Sequence, residues 1–226
     1  MTAPLAIGLM VPANNTTMEG ELAAWLPPGS QVRRVGIPRG KALLTKETMP
    51  AYRDEAIALA RQEFAGAKLD AIAYGCTAAG FISGPRGDAE LAAKLSDATG
   101  LPVVTTARAM VKALQHDGAK RIAVVTPYQD AVNAQLEAFL ADGGIFVLRM
   151  ASFRAPDVEA LCRITSAEVL ELARRTMGPD ADALFIGCSQ LPTHAILGGL
   201  AAEFGRPAWS SISATAWDLM RLPVPA

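Results

Sequence analysis

An α/β protein built from two similar halves, each a parallel sheet with helices outside it, is the fold the sequence predicts. Three observations carry the prediction. Short apolar runs alternate with helix-like segments along all 226 residues, the order expected of βαβ units. The stretch Asp70-Ala71-Ile72-Ala73-Tyr74-Gly75-Cys76-Thr77 has an echo in Asp182-Ala183-Leu184-Phe185-Ile186-Gly187-Cys188-Ser189. Further echoes keep the same order: Val11 and Val125 are offset by 114 positions, Asp70 and Asp182 by 112, Gly100 and Gly205 by 105. A slowly falling offset is what an internal duplication with small loop deletions leaves behind.

Ile7 to Val11 reads as the first strand, stopped by Pro12, and Ala13 to Thr17 as a polar turn with Asn15, Thr16 and Thr17 as possible caps. Met18, Leu22, Trp25 and Leu26 keep helical spacing until Pro27-Pro28-Gly29. Gln31 to Ile37 is a second strand, 39–48 a loop capable of covering a site, and Met49 to Phe64 a helix with Ala56, Ala60 and Phe64 on one face. Leu69 to Tyr74 is the strand that delivers Cys76. The stretch 75–88 is rich in glycine and small residues, Ala89 to Thr99 is helical, Leu101 to Thr105 a strand, and a helix runs from about Ala107 to His116. The order then repeats: strands at Arg121 to Val125, Ile145 to Met150, Ala183 to Ile186 and Pro207 to Ser210; helices at Ala131 to Leu140, Ser166 to Arg175, Ala195 to Phe204 and Ala214 to Leu222.

Composition narrows the function. Hydrophobic residues are 51% and charged residues 19%, enough apolar surface for a substantial core. The net charge of −1 offers no general field for nucleic acid or anionic lipid. The uncharged run from Leu184 to Ala202 is broken by glycines and Pro192, and reads as strand, loop and helix rather than a membrane span. Three cysteines without a CxxC pair and two histidines argue against a disulfide framework, a structural zinc or a histidine metal cluster. With no basic leader at the start, the expectation is a soluble cytoplasmic protein without cofactor.

Cys76 and Cys188 are the candidate catalytic residues. A thiol between a strand end and a helix start meets backbone N–H groups and a positive dipole end, which favour the thiolate. Two thiols at equivalent places outweigh the ordinary reading of cysteine as a small buried hydrophobe. Cys162 has no counterpart and reads as structural. Thr77 and Ser189 follow the two cysteines and suit a carboxylate; Ala78 and Gln190 come next and complete the set. Asn15 and Tyr128 follow the first strand of each half and can grip a carboxylate without adding charge, or serve as plain turn residues. His194 reads as a structural helix residue. Lys41, Lys46 and the Arg34–Arg39 region are a weak source of a cation for an acid.

The run Val11-Pro12-Ala13-Asn14-Asn15-Thr16-Thr17-Met18-Glu19 resembles the start of maleate cis–trans isomerases, as do Tyr74-Gly75-Cys76, Val124 to Tyr128 and the Cys188 segment. From about Ile7 to Trp217 the chain resembles the aspartate/glutamate racemase superfamily, in its maleate isomerase and arylmalonate decarboxylase branch. The resemblance implies two pseudo-symmetric Rossmann-like halves, residues 1–115 and 116–205, with 206–226 returning to the first half. It also implies an active site in the cleft between them and chemistry that needs neither metal nor cofactor. Cys76 resembles the nucleophile of maleate isomerases, Cys188 the proton donor, and Asn15 and Tyr128 the carboxylate grips. Asp157-Val158-Glu159-Ala160-Leu161 and the stretch 77–87 resemble the decarboxylases instead; a carboxylate at Asp157 facing the site would repel a dianion. Those decarboxylases lack the first cysteine, which is present here as Cys76.

The expected function is isomerisation of a small carboxylic acid, with maleate-type cis–trans isomerisation ahead of two-base racemisation and of decarboxylation. A two-lobed binding protein without turnover and a thiol redox sensor are the rivals. The expected partners are a small carboxylate and further copies of the chain, as a homodimer or higher homo-oligomer, and neither nucleic acid nor membrane.

Overall fold

A computed structural model describes residues 3–39, 44–45 and 47–223. The first half runs β1 (Ala6–Pro12), α1 (Met18–Trp25), β2 (Gln31–Ile37), α2 (Met49–Phe64), β3 (Ala71–Tyr74), α3 (Thr77–Phe81), α4 (Gly84–Thr99), β4 (Val103–Thr105) and α5 (Thr106–His116). The second runs β5 (Arg121–Thr126), α6 (Asp130–Asp142), β6 (Phe146–Ser152), α7 (Val158–Cys162), α8 (Ser166–Thr176), β7 (Ala183–Ile186), α9 (His194–Phe204), β8 (Ala208–Ser210) and α10 (Ser211–Leu219). The sheets have the orders β2-β1-β3-β4 and β6-β5-β7-β8, and every pairing is parallel. The two halves therefore share one topology. In each, the order reverses between the first and third strands, so a crevice opens at their carboxyl ends.

Burial follows the sheet order. β3 and β7 are inner strands covered on both faces, and all four residues of each are buried, which explains their unbroken apolar runs. The edge strands β2 and β6 are only partly covered. The two aspartates that open the echoed motifs play one structural role. Asp70 Oδ2 accepts from the Ala6 N–H (2.7 Å), and Asp182 Oδ2 accepts from Lys120 (3.0 Å) and Arg121 (2.8 Å). Each carboxylate pins the start of the neighbouring strand, and so sets the register that carries a cysteine to the opposite end.

Three boundaries differ from the sequence reading. α4 begins at Gly84 rather than Ala89, because Pro85 suits a helix's first turn and extends it backward. The small-residue stretch before it contains the short helix α3. β8 pairs with β7 in the second sheet, so the return to the first half begins at α10 and not at residue 206. There α10 packs on α5 and α1. Thr215 Oγ1 lies 3.0 Å from Thr106 Oγ1, and Lys112 Nζ pairs with the Asp218 carboxylate at 2.9 Å. The uncharged run 184–202 divides into β7, a turn and most of α9; no helix among the described residues is long and apolar enough to cross a membrane.

Candidate active site

The carboxyl ends of β1, β3, β5 and β7 meet at one cavity. Its lining takes Asn15 from the β1–α1 turn, Cys76, Thr77 and Ala78 from the β3–α3 junction, Tyr128 from the β5–α6 turn, and Cys188, Ser189 and Gln190 from the turn after β7. All eight sequence candidates border this space. They arrive there because the equivalent strand ends of the two halves face each other.

The two cysteines do not have equivalent settings. Cys76 is the residue before α3, and its carbonyl accepts from Gly80 N–H at 3.3 Å. Gly75 keeps it close to the sheet: a Cβ there would lie 2.4 Å from Met18 Sδ and 2.7 Å from Val11 Cγ1. Cys188 is not followed by a helix. α9 starts only at His194, and Glu21 of α1 already takes the Thr193 and His194 N–H groups at 2.7 and 3.0 Å. Cys188 instead has φ +130°, an unfavourable region for a residue with a Cβ. Two bonds hold it there: its N–H donates to Ser211 Oγ (2.9 Å), and its sulfur accepts from Gln190 N–H (3.5 Å).

The expectation of acidified thiols is corrected. Burial pushes the Cys76 thiol up, opposed by the positive charge of Arg39, the Ala79 N–H and the nearby Tyr52 hydroxyl. Burial also pushes Cys188 up, to about 11, opposed by the Gln190 N–H and the Tyr128 hydroxyl and reinforced by Cys76. Desolvation of the charged form outweighs the backbone dipoles at both places.

The uncharged donors fall into two groups. Asn15 Oδ1 accepts from the Thr17 and Met18 N–H groups (3.1 and 2.9 Å), which orients the amide so that Nδ2 donates to Ser189 Oγ (3.2 Å) across the two halves. One Nδ2 proton and the Ser189 hydroxyl proton remain for a ligand. The Thr77 and Tyr128 hydroxyls are buried without a well-formed hydrogen bond; Tyr128 OH lies beside both Cys188 and the Thr77 hydroxyl without closing a full bond to either. An edge-on contact with Phe81, 5.6 Å between ring centres, fixes the Tyr128 ring. Gln190 borders the cavity and has a structural task as well. Its Oε1 accepts from Thr16 N–H (3.0 Å) and its Nε2 donates to Thr16 and Thr17 Oγ1 (3.0 and 3.1 Å), so the side chain that borders the cavity also stitches the halves together. Ala78 lines the wall as a small residue.

Several residues were missed or misjudged from sequence. Cys162 lines the cavity instead of serving the core; it is exposed, and its thiol donates to the Asn14 carbonyl at 3.6 Å. Tyr52 extends the buried face of Ala56, Ala60 and Phe64 by one more turn of α2, a pattern already visible in the spacing, and brings its hydroxyl beside Cys76. Arg39 lines the cavity, whereas Arg34 donates to the Ala13 and Asn15 carbonyls (2.7 and 3.1 Å) and so braces the Asn15 turn. Lys41 and Lys46, and residues 40–43 and 46 of the 39–48 loop, lie outside the described residues. Asp157 does not line the cavity. It is the N-cap of α7, accepting from Ala160 N–H at 2.8 Å, and is exposed, so the condition for repelling a dianion is not met. His194 sets its ring edge-on to Trp25, away from the cavity. Among the described residues no three His, Cys, Asp or Glu side chains gather as metal ligands.

Sulfur is the reactive element such a cavity offers. One thiol on each side of a small bound molecule permits proton transfer at both faces of a carbon, or addition of one sulfur with protonation by the other. The fold and site together define a cysteine enzyme working in the cleft between two parallel α/β halves. More closely, the chain belongs to the arylmalonate decarboxylase family, whose model matches residues 7–224. It is 28% identical to the maleate isomerase of Geobacillus stearothermophilus, over 98% of this chain and 92% of that one. It is 33% identical to the arylmalonate decarboxylase of Bordetella bronchiseptica, over 65% of this chain and 62% of that one. A cysteine-to-serine variant of the Nocardia farcinica maleate cis–trans isomerase, solved with a covalently bound succinylcysteine intermediate, superposes with a TM-score of 0.86 at 26% identity, covering 97% of this chain and 92% of that one.

Proposed function

We propose that the protein interconverts the cis and trans forms of a small unsaturated dicarboxylic acid of the maleate type. The observation that carries the reading is that Cys76 and Cys188, from different halves, border one cavity that also holds uncharged carboxylate donors. The Cys76 thiolate adds to one alkene carbon, and the electron pair of the double bond moves toward the neighbouring carboxylate. The Cys188 thiol delivers its proton to the adjacent carbon. The former double bond, now single, rotates. Cys188 then takes back a proton, the carbon–sulfur bond breaks, and Cys76 leaves as thiolate. Nothing is oxidised or reduced. Asn15, Thr77, Tyr128 and Ser189 hold the charge that develops on the carboxylate, as oxyanion-hole donors do. The likeness to two isomerases across nearly the whole chain, one of them carrying a succinylcysteine, supports this order of events.

Decarboxylation of an arylmalonate is the second reading. The family model and the apolar wall formed by Leu44, Val132, Val158 and Leu161 favour it. The presence of Cys76 favours isomerisation. We place the enzyme in the cytoplasm, where three unpaired thiols stay reduced. The test is incubation with maleate and, separately, with an arylmalonate in D₂O, followed by NMR. Conversion of maleate to the trans acid that needs both Cys76 and Cys188 supports the proposal. Carbon dioxide release from the arylmalonate with no change in maleate, or activity that survives Cys76→Ala, overturns it.

A further inference from the structure

We infer that Arg39 is the specificity-determining residue that takes the second carboxylate of the substrate, and so selects a dicarboxylate over a monocarboxylate. The inference rests on the isomerase reading for its substrate and on the cavity itself for its chemistry.

Arg39 is the one charged side chain that lines the cavity among the described residues; no Asp or Glu lines it. A cleft with a cation and no counter-anion is complementary to an anionic ligand. Arg39 forms no ion pair among the described residues, and its Nε–H is buried with no acceptor in reach. A buried N–H of this kind carries a free-energy cost that a ligand oxygen removes. Its surroundings contain the further unpartnered hydroxyls Thr77, Tyr128 and Tyr52. The uncharged set of Asn15, Thr77, Tyr128 and Ser189 serves one carboxylate, and Arg39, whose charge acts on Cys76 more than its other opposing groups do, serves another on the Cys76 side. A guanidinium gives a planar fork that matches a carboxylate. The same placement argues against decarboxylation. A carboxylate leaving as carbon dioxide loses its charge, so a cation beside it holds the ground state more firmly than the transition state.

The experiment compares wild type, Arg39→Leu and Arg39→Lys by two readouts. One is steady-state turnover of maleate. The other is the rate at which iodoacetate and iodoacetamide alkylate Cys76 and Cys188, read peptide by peptide to separate them from Cys162. These probes differ in charge and need no turnover. In Arg39→Leu we expect KM to rise by about 10- to 100-fold, more than kcat falls, and the iodoacetate-to-iodoacetamide ratio to fall by about tenfold, with Arg39→Lys recovering part of both. A ratio that responds to Arg39 in a protein that leaves maleate untouched supports the anion subsite and overturns the isomerase reading. Turnover of maleate with KM and ratio unmoved in Arg39→Leu, whose folding is checked by its melting curve, overturns the inference and leaves the isomerase reading standing.

Discussion

Raising the pH should activate this enzyme over an unusually wide range. Cys188 is pushed from an ordinary 9.0 up to about 11, mainly by burial. That corresponds to about 3 kcal/mol against its thiolate. At pH 8 about one Cys188 in a thousand is ionised, so it stays a competent acid well into the alkaline range. Cys76 is raised from 9.0 as well, and in the proposed reaction it is the residue that must lose its proton to attack. A fixed acid beside a nucleophile that is mostly protonated gives a one-sided profile. From pH 7 to 9, kcat/KM for maleate should climb about tenfold per unit, with the fall delayed until pH approaches 11. The assay is kcat/KM against pH, paired with thiolate absorbance in the ultraviolet for wild type and for each single cysteine variant. A flat profile between pH 7 and 9, with thiolate absorbance already present at pH 7, would refute the argument that desolvation governs these thiols.

The fold itself supplies further tests. Gly75→Ala places a Cβ 2.4 Å from Met18 Sδ; we expect a loss of about 1–3 kcal/mol in urea unfolding and a larger drop in kcat than change in KM, because the next residue is Cys76. Gln190→Leu removes three hydrogen bonds between the halves, and calorimetry should show a loss of about 1–3 kcal/mol, discounted because Thr16 is exposed and can turn to water. Asp157→Asn keeps the N-cap of α7 and should change KM for a dicarboxylate by less than about threefold; a sharp drop in KM would mean that Asp157 does face the substrate. Alkaline stability follows from the raised thiol: with its folded value near 11 and its ordinary value at 9.0, the stabilisation is full below pH 9 and lost as pH rises toward 11. Cys188→Ala should flatten the fall in melting temperature over that window.

How much was legible in the sequence depended on whether the signal was local or mutual. β3 and β7 could be read because inner parallel strands must be apolar on both faces, and their ends named the cysteines. The aspartates could be seen to recur, although their role as pins for the neighbouring strand needed the pairing. The second task of Gln190 was not legible, because its bonds to Thr16 and Thr17 come from the opposite half and only the folded chain brings them within reach. The thiol acidity was misjudged for a related reason. Sequence reveals the turn that supplies N–H groups, but not the depth of burial that opposes them, nor that the helix after Cys188 starts late and already has Glu21 at its end. Cys162 ends the five-residue helix α7 and Arg39 follows β2 in a loop; neither stretch is long enough to carry a periodicity that points to the cavity.

Covalent trapping interrogates the proposal at its root, because it asks which sulfur bonds to carbon. Cys188→Ser incubated with maleate, digested and mapped by mass spectrometry should carry a succinyl group on Cys76, while Cys76→Ser under the same conditions should carry none at the site. A succinyl group found on Cys162 alone, or an unmodified Cys76 in a folded Cys188→Ser protein, would contradict the account.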